Sequence, residues 1–331
     1  SNKPCRSEEP PVPDDRHKAI TFTNPEYIPA SVNFLPATWA EHREGLEEVV
    51  ARHPIIFGEQ QAGNRDFDAA GGTYVEGEHV DRWGCVWSNI AHGAEAIVTG
   101  HPVPTREDVH TLEAPELVDG SFPHGFMYLR LQDLRGFNEL MVDFAEEPPE
   151  LQALIDIVLD YNMRNLEVRL ERDTGDTVGF GDDLGMQTTL PMSPEKWRQY
   201  LKPCFAAMYG RCRDAGRGVY MHSDGHILEI IGDLIECGVT VINPQIRANG
   251  LDGLVEECKG KVCVDLDLDR QLFPFATPDE IDEHIRSSIE ALGSPEGGLL
   301  LKAECGPCVS LEIIEAICVA LEKYRGYFRA A

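Results

Sequence analysis

GVYMHSDGHILEIIGDLIECGVTVINPQ, residues 218–245, carries the reading that decides the fold. Residues 218–222 are a short apolar run, residues 227–237 repeat apolar side chains at helical spacing, and residues 239–243 form a second short run. A strand, a helix and a strand in that order make one unit of parallel sheet, because the helix must return the chain before the next strand can run the same way. The rhythm continues downstream, with a helix over 251–258, a strand over 261–265, a helix over 278–292, a strand over 298–302 and a last helix over 311–328. Upstream, a strand over 177–181 precedes a helix over 194–215. Before these come a strand over 126–131, a helix over 134–145 and a long helix over 149–172, started by Pro148-Pro149.

At the other end, residues 28–36 read as a strand, and Thr38 as the N-cap of a helix reaching His53, with Glu41 in the capping-box position. From Pro54 to about Gly100 the pattern is irregular: Gly71-Gly72, a hairpin from Tyr74 to Trp87, then Ile97-Val98. This stretch is expected to be an insertion near the barrel mouth, with Tyr74, Trp83 and Trp87 either packing it or forming a lid. Together the units predict an α/β protein, a (β/α)8 TIM barrel in which residues 1–331 form a single domain and 1–25 an extended N-terminal arm. An open doubly wound sheet shares this rhythm, but there is no Gly-rich dinucleotide fingerprint to favour it.

The 331 residues are 42% hydrophobic, enough for a full core. Acidic residues outnumber basic ones 57 to 29, for a net charge of −28, which argues against nucleic acid and anionic membranes as partners. No apolar run approaches a membrane span and the first fifteen residues are polar and Pro-rich, so a cytoplasmic protein is expected. The ten cysteines lack the spacing of a disulfide framework, and most are expected to be buried apolar residues. Cys305 and Cys308 stand apart because they flank Gly306-Pro307.

Strand after strand ends in polar residues: Asp182-Asp183, His222-Ser223-Asp224, Asn243-Pro244-Gln245, Asp265 with Asp267, and Glu304-Cys305. In a barrel these ends converge on one mouth. His222 and Asp224, two apart, project to the same face if the strand continues, and Cys305 from a neighbouring strand would complete three protein ligands for a catalytic zinc. The same residues also read as a His222 hydrogen-bonded to Asp224 or a carbonyl, with Cys305 a buried thiol. Asp182, Asp183, Gln187 and Asn243 are the catalytic candidates, and Gln245 and Asp265 the cofactor-binding ones. Capping and turn chemistry are the competing explanations for these six. Asp265 and Asp267 could also support a metal histidine from behind, Glu304 could be a further ligand or base, and Cys308 could pack under the last helix.

Several of these motifs resemble the uroporphyrinogen decarboxylase superfamily, and within it the corrinoid-dependent methyltransferases. They are Phe126-Met127-Tyr128-Leu129-Arg130-Leu131 with Leu134-Arg135-Gly136-Phe137, Asp182 to Gln187, Met192-Ser193-Pro194-Glu195, His222-Ser223-Asp224-Gly225, Gly238-Val239 to Asn243-Pro244, and Ala303-Glu304-Cys305-Gly306. The resemblance runs from about Trp83 onward. It implies a (β/α)8 barrel and a zinc held by a His-x-Cys pair and a later Cys. His222 and Cys305 match that set, whereas Asp224 stands where the first Cys would be. A carboxylate in place of a thiolate leaves the ion a stronger Lewis acid. The expected function is therefore zinc-dependent transfer of a methyl group from a small methylated substrate, an O-, N- or similar donor, to a corrinoid (cobalamin), free or on a partner corrinoid protein. One alternative is a decarboxylase-like lyase, which the acidic strand ends and the lack of an Arg-rich amino-terminal segment disfavour. The other is a non-catalytic corrinoid- or ligand-binding barrel.

Overall fold

The computed structural model describes residues 14–60, 63 and 65–329; Cys5 and the first thirteen residues of the expected arm lie outside these. The strands are β1 (Ala30–Phe34), β2 (Gly77–Val80), β3 (Val86–Asn89), β4 (Ile97–Gly100), β5 (Thr177–Gly181), β6 (Gly218–Ser223), β7 (Val241–Pro244), β8 (Cys263–Asp267) and β9 (Leu299–Cys305). Six form one parallel sheet in the order β1-β9-β8-β7-β6-β5, curled into a half-barrel. The fold class is α/β of the TIM-barrel type. Consecutive strands β5 to β9 each pair with the next through a helical return, and β9 comes round to β1 with Phe34 opposite Cys305.

Period-two alternation sorts each strand into an outer and an inner face. On β6, Val219, Met221 and Ser223 are buried toward the helices, while Tyr220 and His222 face inward. The inner direction is fixed by bonds that skip a strand: Tyr220 on β6 donates its hydroxyl to Asp265 Oδ2 on β8 at 3.0 Å, across the barrel interior. At the amino ends of the strands Val241, Cys263 and Leu300 form a small apolar floor with Ala19. Ala19 belongs to the helix Asp15–Thr21, whose N-cap is Asp14. The expected extended arm is thus corrected over these residues: the chain forms a helix that closes the barrel bottom, and Ala19 O accepts from Gly298 N.

The region between the first strand and β5 departs most from expectation. Residues 126–131 are not a strand; Tyr128–Arg135 is a helix, and a second one, Phe137–Glu146, follows after a break at Gly136, where φ is 86°. The bent segment just before, ending at buried Phe126 and Met127, lies against β5 through Gly125 N to Gly181 O at 2.8 Å. Thr38 is not an N-cap: the helix Pro36–Arg52 starts two residues earlier, and the buried Thr38 hydroxyl donates to Cys305 O. The helix expected over 194–215 is two, Pro194–Tyr200 and Lys202–Asp214. Pro149–Arg172, Leu251–Cys258 and Pro278–Leu292 form as the pattern predicts.

The insertion folds as the antiparallel sheet β2-β3-β4. It is pinned to the Tyr128–Arg135 helix by the Arg130–Asp81 ion pair at 2.6 Å and by Val103 N to Leu134 O. Trp83 packs edge-on against Tyr161 and Trp87 Nε1 donates to Asp81, so both are structural. Tyr74 is the aromatic that approaches the mouth: burial and the charges of Glu95 and Glu304 push its hydroxyl upward.

Candidate functional site

At the carboxyl ends of the strands the inward positions are polar. β6 delivers His222, β7 Asn243, β8 Asp265 and Asp267, and β9 Lys302 and Glu304, one every second residue. Asn243 organises the first layer. Its side-chain nitrogen donates to Asp265 O at 2.5 Å, which turns its Oδ1 toward His222 Nδ1, 2.7 Å away. An amide oxygen can only accept, so Nδ1 carries the proton and Nε2 presents a lone pair to the mouth.

Three groups gather around that lone pair. Asp183, just past the end of β5, sets Oδ1 3.7 Å from His222 Nε2, and its Oδ2 is 3.0 Å from His124 Nε2. Asp183 Oδ1 also accepts from Asp224 N at 2.9 Å, which fixes the carboxylate. His124, His222 and Asp183 each offer one atom within 4.8 Å of the others. Asp224 Oδ1 lies 3.3 Å from His222 Nε2. Two ligands of a tetrahedral zinc at about 2.1 Å stand about 3.4 Å apart, so the donor set and its spacings fit such an ion. The hydrogen bond to Asp183 raises the pKa of His124. Burial pushes the Asp224 carboxyl up, but hydrogen bonding from His222 Nε2, which carries a second proton when no metal takes its place, and the Arg270 charge outweigh it and hold the group low.

The loops bearing these residues touch backbone to backbone. A Cβ on Gly185 would sit 2.4 Å from His226 N, and one on Gly225, whose φ is +82°, would sit 2.3 Å from Gly185 C. Only hydrogen fits at either position.

The other expected site residues divide. Asp224 stands at the cluster, but Arg270 Nη2 donates to both its oxygens at 2.7 and 2.6 Å, while Arg270 Nη1 reaches Glu304 at 2.6 Å. Cys305 is not brought to the cluster, and its assignment as a metal ligand is corrected. It alternates with Lys302 and Glu304 on β9, so it faces the helix layer beside Cys318, where burial pushes its thiol far up. Asp182 is likewise not at the mouth: it is fully buried and accepts from Tyr128 N at 2.6 Å and Leu129 N at 2.9 Å, capping that helix from another strand. Burial pushes its carboxyl up to about 7, against those two amides. Gln187 is exposed at the rim, Gln245 Oε1 accepts from Gly225 N, and Asp265 lies one layer below the cluster on Tyr220. Cys308 is exposed and does not pack under the last helix.

Sequence reading missed His124, Arg270 and Lys302. Lys302 had a signal, a cation inside the apolar run Leu299-Leu300-Leu301. His124 had none, because the segment that carries it was read as leading into a strand.

A TIM-type barrel with a His/Asp/His cluster at the carboxyl ends of its strands has the layout of a barrel enzyme of the metal-binding kind. The chain belongs to the uroporphyrinogen decarboxylase (URO-D) family, whose model matches residues 124–324. No curated protein sequence matches it. Among solved structures it is similar to a methyltransferase from Methanosarcina mazei at 17% identity and TM-score 0.63, covering 94% of this chain and 98% of that one. A Xanthomonas albilineans dihydropteroate synthase aligns at 15% identity and TM-score 0.31, over 45% of this chain and 52% of its own. A B12-independent methionine synthase from a Shewanella species aligns at 13% and 0.30, over 60% and 58%.

Proposed function

We infer that this protein is a metal-dependent methyltransferase, moving a methyl group from a small O- or N-methylated donor to the cobalt of a reduced corrinoid, free or carried by a partner protein. The observation that carries the metal half is the bare Nε2 of His222, set by Asn243 and aimed at Asp183 and His124. The three would hold zinc, with Asp224 beside them, leaving a position open to the donor. A zinc bound there supplies Lewis acidity to the heteroatom that the methyl group leaves. Nitrogen and oxygen ligands favour that role over activation of a thiol nucleophile.

The chain's own residues do the rest. Asn243 orients His222, the Asp224 amide orients Asp183, and Arg270 holds Asp224 and Glu304 in place. The methyl-transfer half rests on the family and on the whole-chain likeness to a methyltransferase structure. A decarboxylase of polycarboxylates would want free cations at the mouth. Arg270 there is already paired with Asp224 and Glu304, and Lys302 lies against Asn243. Nine described cysteines are free, as a reducing cytosol would keep them, and no described helix is long and apolar enough to cross a membrane.

Metal analysis of the purified protein tests this. Near-stoichiometric zinc is expected, lost in His222→Ala and Asp183→Asn, and methylcobalamin should form from a methylated donor and Co(I) cobalamin. Protein that takes up no zinc even when it is supplied would sink the metal half. Zinc-loaded protein that methylates cobalt from no donor would sink the other.

A further inference from the structure

We propose that Asp267 is the general acid that protonates the oxygen released when an O-methyl donor gives up its methyl group. This rests on the methyltransferase reading and narrows its donor to one class, ethers.

Asp267 ends β8 on the same inward face as Asp265, whose carboxylate is reached from across the interior by Tyr220. It is 2% exposed, yet its Oδ1 has no hydrogen-bond partner. Every other carboxylate at the mouth is engaged: Asp183 by His124 and the Asp224 amide, and Asp224 and Glu304 by Arg270. The nearest cation to Asp267 is Arg270 Nη2, 3.7 Å from Oδ2 and already committed to Asp224. A buried carboxylate oxygen left without a partner is costly, and the cost falls away when the group is protonated or a ligand meets it. Asp267 borders a small cleft at the rim with Gln187, Gln245 and Arg270, and two of these reach toward the metal cluster, Arg270 to Asp224 and Gln245 to Gly225 N.

The groups facing Asp267 are Gln245 from β7, Lys302 from β9, Arg270 after its own strand, and His222 and Asp224 across the mouth. Burial pushes its carboxyl up to about 6, against Arg270, Lys302 and His222 and with Asp224. Such an acid keeps a protonated fraction at neutral pH, unlike an ordinary aspartate, and can release that proton within a turnover.

The methyl carbon–oxygen bond breaks and its electron pair stays on oxygen. Co(I) supplies the pair for the carbon–cobalt bond and becomes Co(III). The Asp267 proton passes to the oxygen, giving a neutral phenol or alcohol, and the carboxylate regains a proton from solvent. A quaternary ammonium donor leaves as a neutral amine and has no use for this proton, whereas an ether does.

The test compares wild type with Asp267→Asn, zinc-loaded, on anisole and para-nitroanisole with Co(I) cobalamin, and reads the protonated-carboxyl infrared band of both proteins without donor. The expected loss is about a thousandfold on anisole and about tenfold on para-nitroanisole, whose weakly basic leaving group needs the acid less. The wild-type-minus-variant difference spectrum should show one carboxyl component that titrates away with a midpoint near pH 6, beside the bands that Asp133 and Asp182 give in both proteins. Equal losses on the two ethers, or identical carboxyl bands in the two proteins, would overturn the proposal. Wild type active on a methylamine but on neither ether would overturn it and leave the methyltransferase reading standing. Activity on no donor would overturn that reading and this role with it.

Discussion

Asn243 settles which nitrogen of His222 faces the metal cluster, and it does so from outside the ligand set. Replacing it with Ala frees the ring to flip and to change tautomer, so zinc affinity should fall 10- to 100-fold while the fold survives, as competition against a chromophoric chelator would show. Cys305→Ser offers the opposite control. The thiol sits among helix-facing residues, so zinc content should be unchanged and only stability should drop, by about 1 kcal/mol. A serine variant that lost its metal would return Cys305 to the site. At this scale the sequence was half legible. His222 and Asp224 share a face because strand period two makes them do so, and Asp183 follows a strand end. Cys305 was misread because the same rule was not carried back from Lys302 and Glu304, which alternate with it. His124 comes from a bent segment lodged beside β5, a contact that local pattern does not encode.

The helix Tyr128–Arg135 illustrates the same limit for an element. Phe126 to Leu131 is apolar and aromatic enough to read as a strand, but Asp182 receives two amides of its first turn, and two otherwise unpaired helix-start amides satisfied by one buried carboxyl are worth more than β propensity. Asp182→Ala would leave both amides buried and unpaired, a loss of about 2 kcal/mol visible as a lower urea midpoint. Asp182→Asn, which keeps one acceptor oxygen, should lose less. If Ala and Asn behave alike, the cap is not what holds the helix. Helices with their own signals were easier. Pro278–Leu292 carries Thr277 and Glu280 as a reciprocal cap, and its bounds could be read directly. The breaks at Gly136 and Leu201 were not, since a helical period alone does not show where one helix ends and the next begins.

The whole molecule concentrates buried acids whose pKa values are raised: Asp133 and Asp267 to about 6 and Asp182 to about 7, all chiefly by burial. Their unfolded values lie near 4, so between about pH 4 and 7 the folded chain binds more protons than the unfolded one, and stability from these groups declines as pH rises through that window. Asp81 and Asp224 run the other way: both are held low, and their contribution is lost only in stronger acid. Metal-free protein should therefore show its highest urea midpoint near pH 5 and a lower one at pH 7.5. A midpoint that rises across that interval would contradict the burial of these carboxyls. The barrel class was open to sequence reading because five βα units repeat in order. The helix under the floor and the sheet β2-β3-β4 were not, since each takes its place from contacts with distant parts of the chain.

The glycine pair at 185 and 225 limits how this site can change. The two loops that carry Asp183 and Asp224 are welded at a contact that tolerates no side chain, so the distance between those two positions is set by main chain alone. Whatever residue stands at either position inherits that distance. Chemistry at the mouth can then be retuned at 183 or 224, one metal-binding donor for another, without re-spacing the loops, while a change at 224 also releases Arg270 from its partner. A replacement at either glycine would spread the loops and spoil the site for every donor at once. Selection in a variant library should accordingly recover diversity at the carboxylates and none at the glycines.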